Sequence, residues 1–280
     1  MNKMISMRTL GKSGRFGNQV FQYAFLKIYA SYYHLKIETS SWAGHFLFGH
    51  QDPPVTHKLP QANIKEMARK DDLFIHDNPP YVNVDLKKYS HFVSTSFYHP
   101  FKSQFCSLFQ PTKEINSIVN PGLKQLRNMG NTIVGIHLRR GDFIDSKIPN
   151  YCWVSPTSWY LNWLEHMWPT LKNPVLFIAS DDLASVLPDF KQYNPVTSKE
   201  LIDFSQQITS SPVDVSFYPD YYLLTKCDFL AISNSTFSFS ASMLNKRCKI
   251  FMRPNINEQM LIPYDPWNSK PVLKAENKWR

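Results

Sequence analysis

Apolar and polar positions give the chain two textures, divided near Pro111. In the second part, short apolar runs alternate with stretches of helical spacing. Ile133, Val134, Gly135, Ile136 and Leu138 form an apolar, largely β-branched run, which predicts a buried strand of a parallel sheet over 132–138. The same reading predicts helices near Lys113–Met129, over Pro156–Trp168, from Leu183 to Leu187, over Asp220–Lys226 and over Phe237–Leu244. Strands are predicted at Val175–Ala179, Phe229–Ser233 and Cys248–Met252. This βαβα alternation predicts a doubly wound parallel domain over residues 113–255.

The first part, residues 1–112, reads as a second, more irregular α/β domain. Met4–Leu10 is its first strand candidate, followed by a glycine-containing turn. Val20, Ala24 and Ile28, with Phe21 and Phe25, then predict a helix over Gln19–Tyr33. Between Ser40 and Pro100, Pro53-Pro54 and Pro79-Pro80 argue against long regular elements. Short strands are expected around Leu73–Ile75 and Phe92–Thr95. Residues 256–280 are rich in prolines and turns and are expected to pack across the domain junction.

Three predicted strands end in polar chemistry. After 132–138 come His137, Arg139, Arg140 and Asp142. Ligands of open α/β sheets bind outside the carboxyl ends of the strands, and guanidinium forks match phosphate oxygens. A surface salt-bridge cluster would use the same residue types. The second strand ends in Ser180, Asp181 and Asp182, where a carboxylate can meet a ribose hydroxyl or base edge, or cap the next helix. The third leads into Asn234, Ser235, Thr236 and Phe237, where hydroxyls and helix-start N–H groups form a phosphate cradle or a plain serine cap. Their coincidence in one sheet favours a nucleotide site.

The N-terminal turn is not a P-loop, because Ser6 stands where that motif needs glycine. The spacing Gly11, Gly14, Gly17 is not the dinucleotide fingerprint either. What remains is a strand-to-helix turn presenting Arg15, Asn18 and Gln19 at a helix N-terminus, a place that attracts anions. No aspartates are separated by a single residue, the nine histidines lack ligand spacing, and G-x-S-x-G is missing. No metal is expected.

Charge adds little. Lysine and arginine number 31 against 22 acidic residues, for a net charge of +9, but the basic residues are scattered. That argues for diffuse solubilising charge and against nucleic-acid binding. Cys106, Cys152, Cys227 and Cys248 stand far apart and suggest reduced thiols. No apolar run marks a signal peptide or a membrane span, so the sequon at Asn234 is read as chance.

Together the motifs resemble glycosyltransferase family 11, the α-1,2-fucosyltransferases. GRFGNQVFQYAF (14–25) is similar to the family's N-terminal signature, and HLRRGDF (137–143) to its H-x-R-R-G-D block. FIASDD (177–182) and CDFLAISNSTFSFSASML (227–244) resemble two further blocks, in the family's order. The last block has TFSFS (236–240) where the family usually carries paired tryptophans.

The resemblance implies a GT-B-like α/β architecture, with two Rossmann-type domains facing a central cleft. It implies an acceptor-side domain at 1–112 and a nucleotide-sugar domain at 113–255. The implied reaction is inverting, metal-independent transfer of L-fucose from GDP-fucose to a glycan hydroxyl. By the same analogy Arg139 holds the diphosphate, and His137, Asp142 and Asp181 face the guanosine. Ser235, Thr236 and Phe237 line the phosphate and base pocket, and Ser180 and Asn234 complete that side. Gly14, Arg15, Gly17, Asn18 and Gln19 close on the donor from the other domain. The base stays open among Asp71, Asp72, His45 and Asp77. The alternatives are another nucleotide sugar or a non-catalytic nucleotide-sugar or glycan-binding module. The expected setting is a cytoplasmic enzyme, bacterial or virus-encoded, with peripheral membrane contact at most.

Overall fold

The computed structural model describes residues 3–62, 77–86, 92–144, 150–208 and 211–275. The chain divides into two units. One comprises Met1–Thr112 with Pro212–Val215, the other Lys113–Ser211 with Ser216–Arg280.

The first unit is built on β1 (Met4–Met7), β2 (Lys36–Thr39) and β3 (Val84–Asp85), all parallel, in the order β2-β1-β3. β1 is shorter than the apolar pattern suggested, because residues 8–14 turn away from the sheet. The helix α1 (Phe16–Tyr32) starts three residues earlier than its apolar spacing indicated. It buries 13 of its 17 residues, so it is a core helix rather than an amphipathic cover. Its side-chain amides fasten the preceding turn: Gln19 Nε2 donates to the Gly14 carbonyl at 3.0 Å and Gln22 Nε2 to that of Ser13 at 2.9 Å. The short helices α2 (Ala43–Phe48) and α3 (Lys102–Leu108) follow. Aromatic packing dominates this core, with Phe25 against Phe92 at 4.3 Å and Tyr23 against Trp42 at 4.9 Å between ring centroids. The expected strand at Phe92–Thr95 does not form: Thr95–Phe97 is a 3₁₀ turn, and the Tyr98 hydroxyl donates to the Phe92 carbonyl. The strand expected at Leu73–Ile75 lies outside the described residues.

The second unit carries a five-stranded sheet in the order β5-β4-β6-β7-β8. β4 (Thr132–Leu138), β5 (Pro174–Ser180), β6 (Phe229–Ala231) and β7 (Ile250–Asn255) are parallel. β8 (Met260–Pro263) pairs antiparallel with β7. The helices are α4 (Lys113–Met129), α5 (Gly141–Ile144), α6 (Thr157–Met167), α7 (Leu183–Val186), α8 (Ser198–Leu201), α9 (Phe204–Gln207), α10 (Tyr218–Leu224) and α11 (Thr236–Leu244). β4 and β5 bury Val134, Ile136, Leu138, Leu176 and Ile178 in one core with Tyr160 and Leu164 of α6.

The described residues of the segment after 255 extend the second sheet and fasten to it. Arg253 Nη1 donates to the Lys270 carbonyl at 2.6 Å, Trp153 Nε1 to that of Leu273 at 3.2 Å, and the Ala275 N–H to that of Asn150 at 2.7 Å. All four cysteines are free, and Cys106 and Cys227 are buried. Among the described residues no helix is long and apolar enough to cross a membrane.

Candidate functional site

The order β5-β4-β6 sets the three polar strand ends of the second unit side by side. Leu138 of β4 pairs with Ser180 of β5, and Ile136 with Ala231 of β6. The chain steps from β4 outward to β5 and then returns to the other side of β4. The carboxyl ends of β4 and β6 therefore flank a topological switch point, where such sheets bind ligands.

Arg139 leaves the end of β4 with its side chain only 13% exposed. Its guanidinium pairs with two carboxylates, Asp142 through Nη2 and Asp181 through Nη1, the latter at 3.1 Å. Its cationic carbon also stands 5.5 Å from the centre of the Phe143 ring. Asp181 is fixed from a second side by the Arg140 N–H at 2.7 Å. Gly141 makes room for that carboxylate, since a Cβ there would fall 2.4 Å from Asp181 Oδ2. The Arg140 side chain serves the scaffold. It is buried and donates to Thr157 Oγ1 at 3.0 Å and to the Arg139 carbonyl at 3.2 Å. The two arginines are therefore unequal, and Arg139 is the one aimed outward. Of its carboxylates, Asp142 is 44% exposed and Asp181 22%.

His137 is buried. Its Nδ1 meets Ser233 Oγ at 2.8 Å across the β4–β6 boundary, and its ring lies 5.3 Å from that of Phe237. Burial, reinforced by the Arg140 charge, pushes the imidazole down to about 3. The ring is neutral at physiological pH and ties β4 to the loop before α11. Ser235 caps α11 by accepting the Phe237 N–H at 3.3 Å. Thr236 and Phe237, both partly exposed, form its first turn. Ser180 Oγ accepts the Asp182 N–H at 3.1 Å, and Asp182 caps α7 by accepting the Ser185 N–H at 3.2 Å.

The Asn234 amide is consumed by the scaffold: Nδ2 donates to the carbonyls of Tyr151 and Leu273, each at 2.9 Å, and Oδ1 accepts the Leu273 N–H at 2.8 Å. Buried and engaged in this way, Asn234 fastens the loop before α11 to residues 151 and 273.

In the first unit, Gly14 takes φ +76°, and a Cβ there would fall 2.8 Å from Asn18, so the turn needs glycine. Arg15 is exposed at the mouth of α1, Asn18 is half-buried, and Gly17 and Gln19 are buried. Gln19 is thus tied to holding the turn. His45 sits 3.3 Å from Thr39 Oγ1, and burial lowers its pKa against the opposing pull of Asp52. Asp77 is exposed, and Asp71 and Asp72 lie outside the described residues.

Sequence reasoning missed two buried carboxylates in this unit. Asp85 accepts from Ser6 Oγ at 3.0 Å and from the N–H and Nε of Arg8 at 2.9 and 3.0 Å. Glu38 binds Thr56 and His57. No local motif marks either one, because the partners lie 77 and 19 residues apart. Among the described residues no three His, Cys, Asp or Glu side chains gather as a metal ion would require.

Comparison with known proteins places this geometry. No curated protein matches the chain. Among solved structures, the fucosyltransferase NodZ from Bradyrhizobium superposes with a TM-score of 0.63 at 12% identity, covering 95% of this chain and 99% of that one. NodZ α-1,6-fucosyltransferase soaked with GDP-fucose gives 0.60 at 14% identity, covering 96% and 100%. The R284K mutant of Arabidopsis thaliana FUT1 in complex with GDP gives 0.60 at 11%, covering 96% and 76%. These likenesses establish a GT-B α/β fold. The family model for glycosyl transferase family 11 matches residues 1–261, and the chain belongs to that family.

Proposed function

We propose that this chain transfers L-fucose from GDP-fucose to a hydroxyl of a glycan acceptor, with inversion at the anomeric carbon and without a metal ion. The observation that carries the reading is Arg139. It stands at the β4 end of a switch point and is oriented by Asp181, in the sheet whose neighbouring strand β6 leads into α11. NodZ has been soaked with GDP-fucose and FUT1 crystallised with GDP, which supports the donor class.

In this reading the bond from the fucose anomeric carbon to the β-phosphate breaks, and its electron pair stays on GDP. Negative charge grows on the diphosphate in the transition state, when Arg139 exchanges Asp142 for phosphate oxygens. A guanidinium and the positive end of the α11 dipole do the work that a divalent ion does in enzymes with a D-x-D motif. The acceptor oxygen attacks the opposite face of the sugar. Since the GDP-linked sugar is β, inversion gives an α-fucoside. The resemblance of the four sequence blocks to α-1,2-fucosyltransferases supports transfer to a 2-hydroxyl, whereas NodZ is an α-1,6 enzyme.

Incubation with GDP-fucose, a panel of oligosaccharides and a chelator tests the reading. Fucosylated product with an α-1,2 linkage is expected. Sugar transfer only from a UDP-linked donor would refute the fucose assignment.

A further inference from the structure

In the second unit, the amino ends of β4, β6 and β7 lie opposite the strand end that carries Arg139. These strands run parallel with Val134, Phe229 and Ile250 in register, so the segments that enter them stand side by side. The segments are the last turn of α4, the loop at 225–228 and the loop at 245–249. They bring Arg127, Lys226, Lys246, Arg247 and Lys249 together at this end. The sequence scatters these cations, and the fold gathers them.

Hydrogen bonds hold the two loops in place. Asn245 Nδ2 donates to the carbonyls of Leu224 and Cys227 at 3.0 and 2.9 Å, and its Oδ1 accepts the N–H groups of Arg247 and Cys248 at 2.9 and 3.0 Å. The Lys249 N–H donates to the Asp228 carbonyl at 2.8 Å. Arg127 donates to the Lys226 carbonyl and pairs with the Asp228 carboxylate. That buried carboxylate also accepts the Ile133 N–H at 2.8 Å and meets Arg247 Nη2 at 3.4 Å. It is therefore taken by two arginines and a backbone N–H, and it does not offset the three lysines. Burial, and then the charges of Lys246 and Arg247, lower the Lys226 pKa, so these cations stand within electrostatic reach of one another. Lys246, Arg247 and Lys249 are exposed.

Two apolar side chains stand exposed at the same end. Met129, the last residue of α4, is 47% exposed, and Ile250, the first of β7, is 43% exposed. Charge by itself suits any polyanion. Exposed methionine and isoleucine among cations suit a surface with charged headgroups over hydrocarbon, where the cations meet phosphates and the apolar chains enter the interface.

We propose that this end of the sheet docks the chain on an anionic phospholipid bilayer as a peripheral contact. The strand end at Arg139 lies roughly 20 Å away along the seven residues of β4 and stays clear of the bilayer. The docking goes beyond the reaction proposed above and does not depend on it.

The test is cosedimentation of the full chain with vesicles of phosphatidylcholine alone, or of equal parts phosphatidylcholine and phosphatidylglycerol. Binding to the anionic vesicles and not to the neutral ones is expected, and it should fall steeply with added salt. Lys246→Gln combined with Lys249→Gln is expected to weaken it about 30-fold. Met129→Gln combined with Ile250→Thr is expected to weaken it about tenfold with the salt dependence retained. Thermal stability, and transfer to a soluble acceptor, are expected to match wild type in both variants, so failure of the docking and failure of the reaction are read separately. No binding to anionic vesicles at low salt, or undiminished binding in the lysine variant, would overturn the proposal. Undiminished binding in the Met129 and Ile250 variant would overturn it as well, and tight binding of a single-stranded RNA would then assign this end to a nucleic acid.

Discussion

Asn234→Ala separates a structural from a donor-binding reading of the third strand end. The wild-type amide makes three hydrogen bonds to the backbone of Tyr151 and Leu273 and is 1% exposed. Alanine removes all three, although the Leu273 carbonyl keeps the hydrogen bond from Trp153 Nε1. At about 1 kcal/mol for each net bond lost, the cost is roughly 3 kcal/mol, and more if the orphaned groups stay dry. For a unit of this size that lowers Tm by roughly 6–12 °C. The assay is thermal unfolding by circular dichroism, paired with calorimetric titration of GDP well below the transition. The expected result is a lower Tm with GDP affinity unchanged. A wild-type Tm with GDP binding weakened tenfold or more, an order of magnitude worth about 1.4 kcal/mol, would refute the reasoning and return Asn234 to the donor site.

Arg139→Ala is expected to lower fucosyl transfer by about 10²–10³ in kcat, as loss of one preorganised charge-stabilising group does, measured by GDP release. Gly141→Ala should push Asp181 away from Arg139, since its Cβ would fall 2.4 Å from the carboxylate; transfer should fall while the chain stays folded. Asp85→Ala orphans Ser6, the Arg8 N–H and the Arg8 guanidinium, and is expected to cost about 2–4 kcal/mol in denaturant unfolding. Acid should expose Glu38. Its folded pKa of about 2 lies below the unfolded value, so its contribution is complete above about pH 4.5 and is lost as pH falls toward 2. E38Q should abolish that part of the acid sensitivity in pH-dependent melting.

The second unit was far more legible in sequence than the first. β4 at 132–138 and α4 at 113–129 stand where the pattern put them, because a continuous apolar run and an amphipathic repeat are local signals. α4 even carries Pro121 in its interior, where proline ordinarily breaks a helix. The site was legible as three strand ends, but not as a division of labour. Both arginines follow β4, yet only the fold shows that Arg140 turns inward to Thr157 while Arg139 meets Asp181. Asn234 looked like a ligand contact because a staple to residue 273 leaves no local trace. β8 and the Glu38–His57 and Arg8–Asp85 pairs depend on tertiary pairing. In the first unit 3₁₀ turns, prolines and aromatics replace periodicity, so strand ends and anchors there had no pattern to reveal them.

The central claim is a GDP-sugar site whose charge is met by Arg139 rather than by a metal ion. Calorimetric titration with GDP, GDP-fucose and UDP, with and without chelator, tests it most directly. The account predicts binding of GDP and GDP-fucose in preference to UDP, unchanged by chelator and weakened in Arg139→Ala. Preference for UDP, or loss of GDP binding when divalent ions are removed, would contradict it.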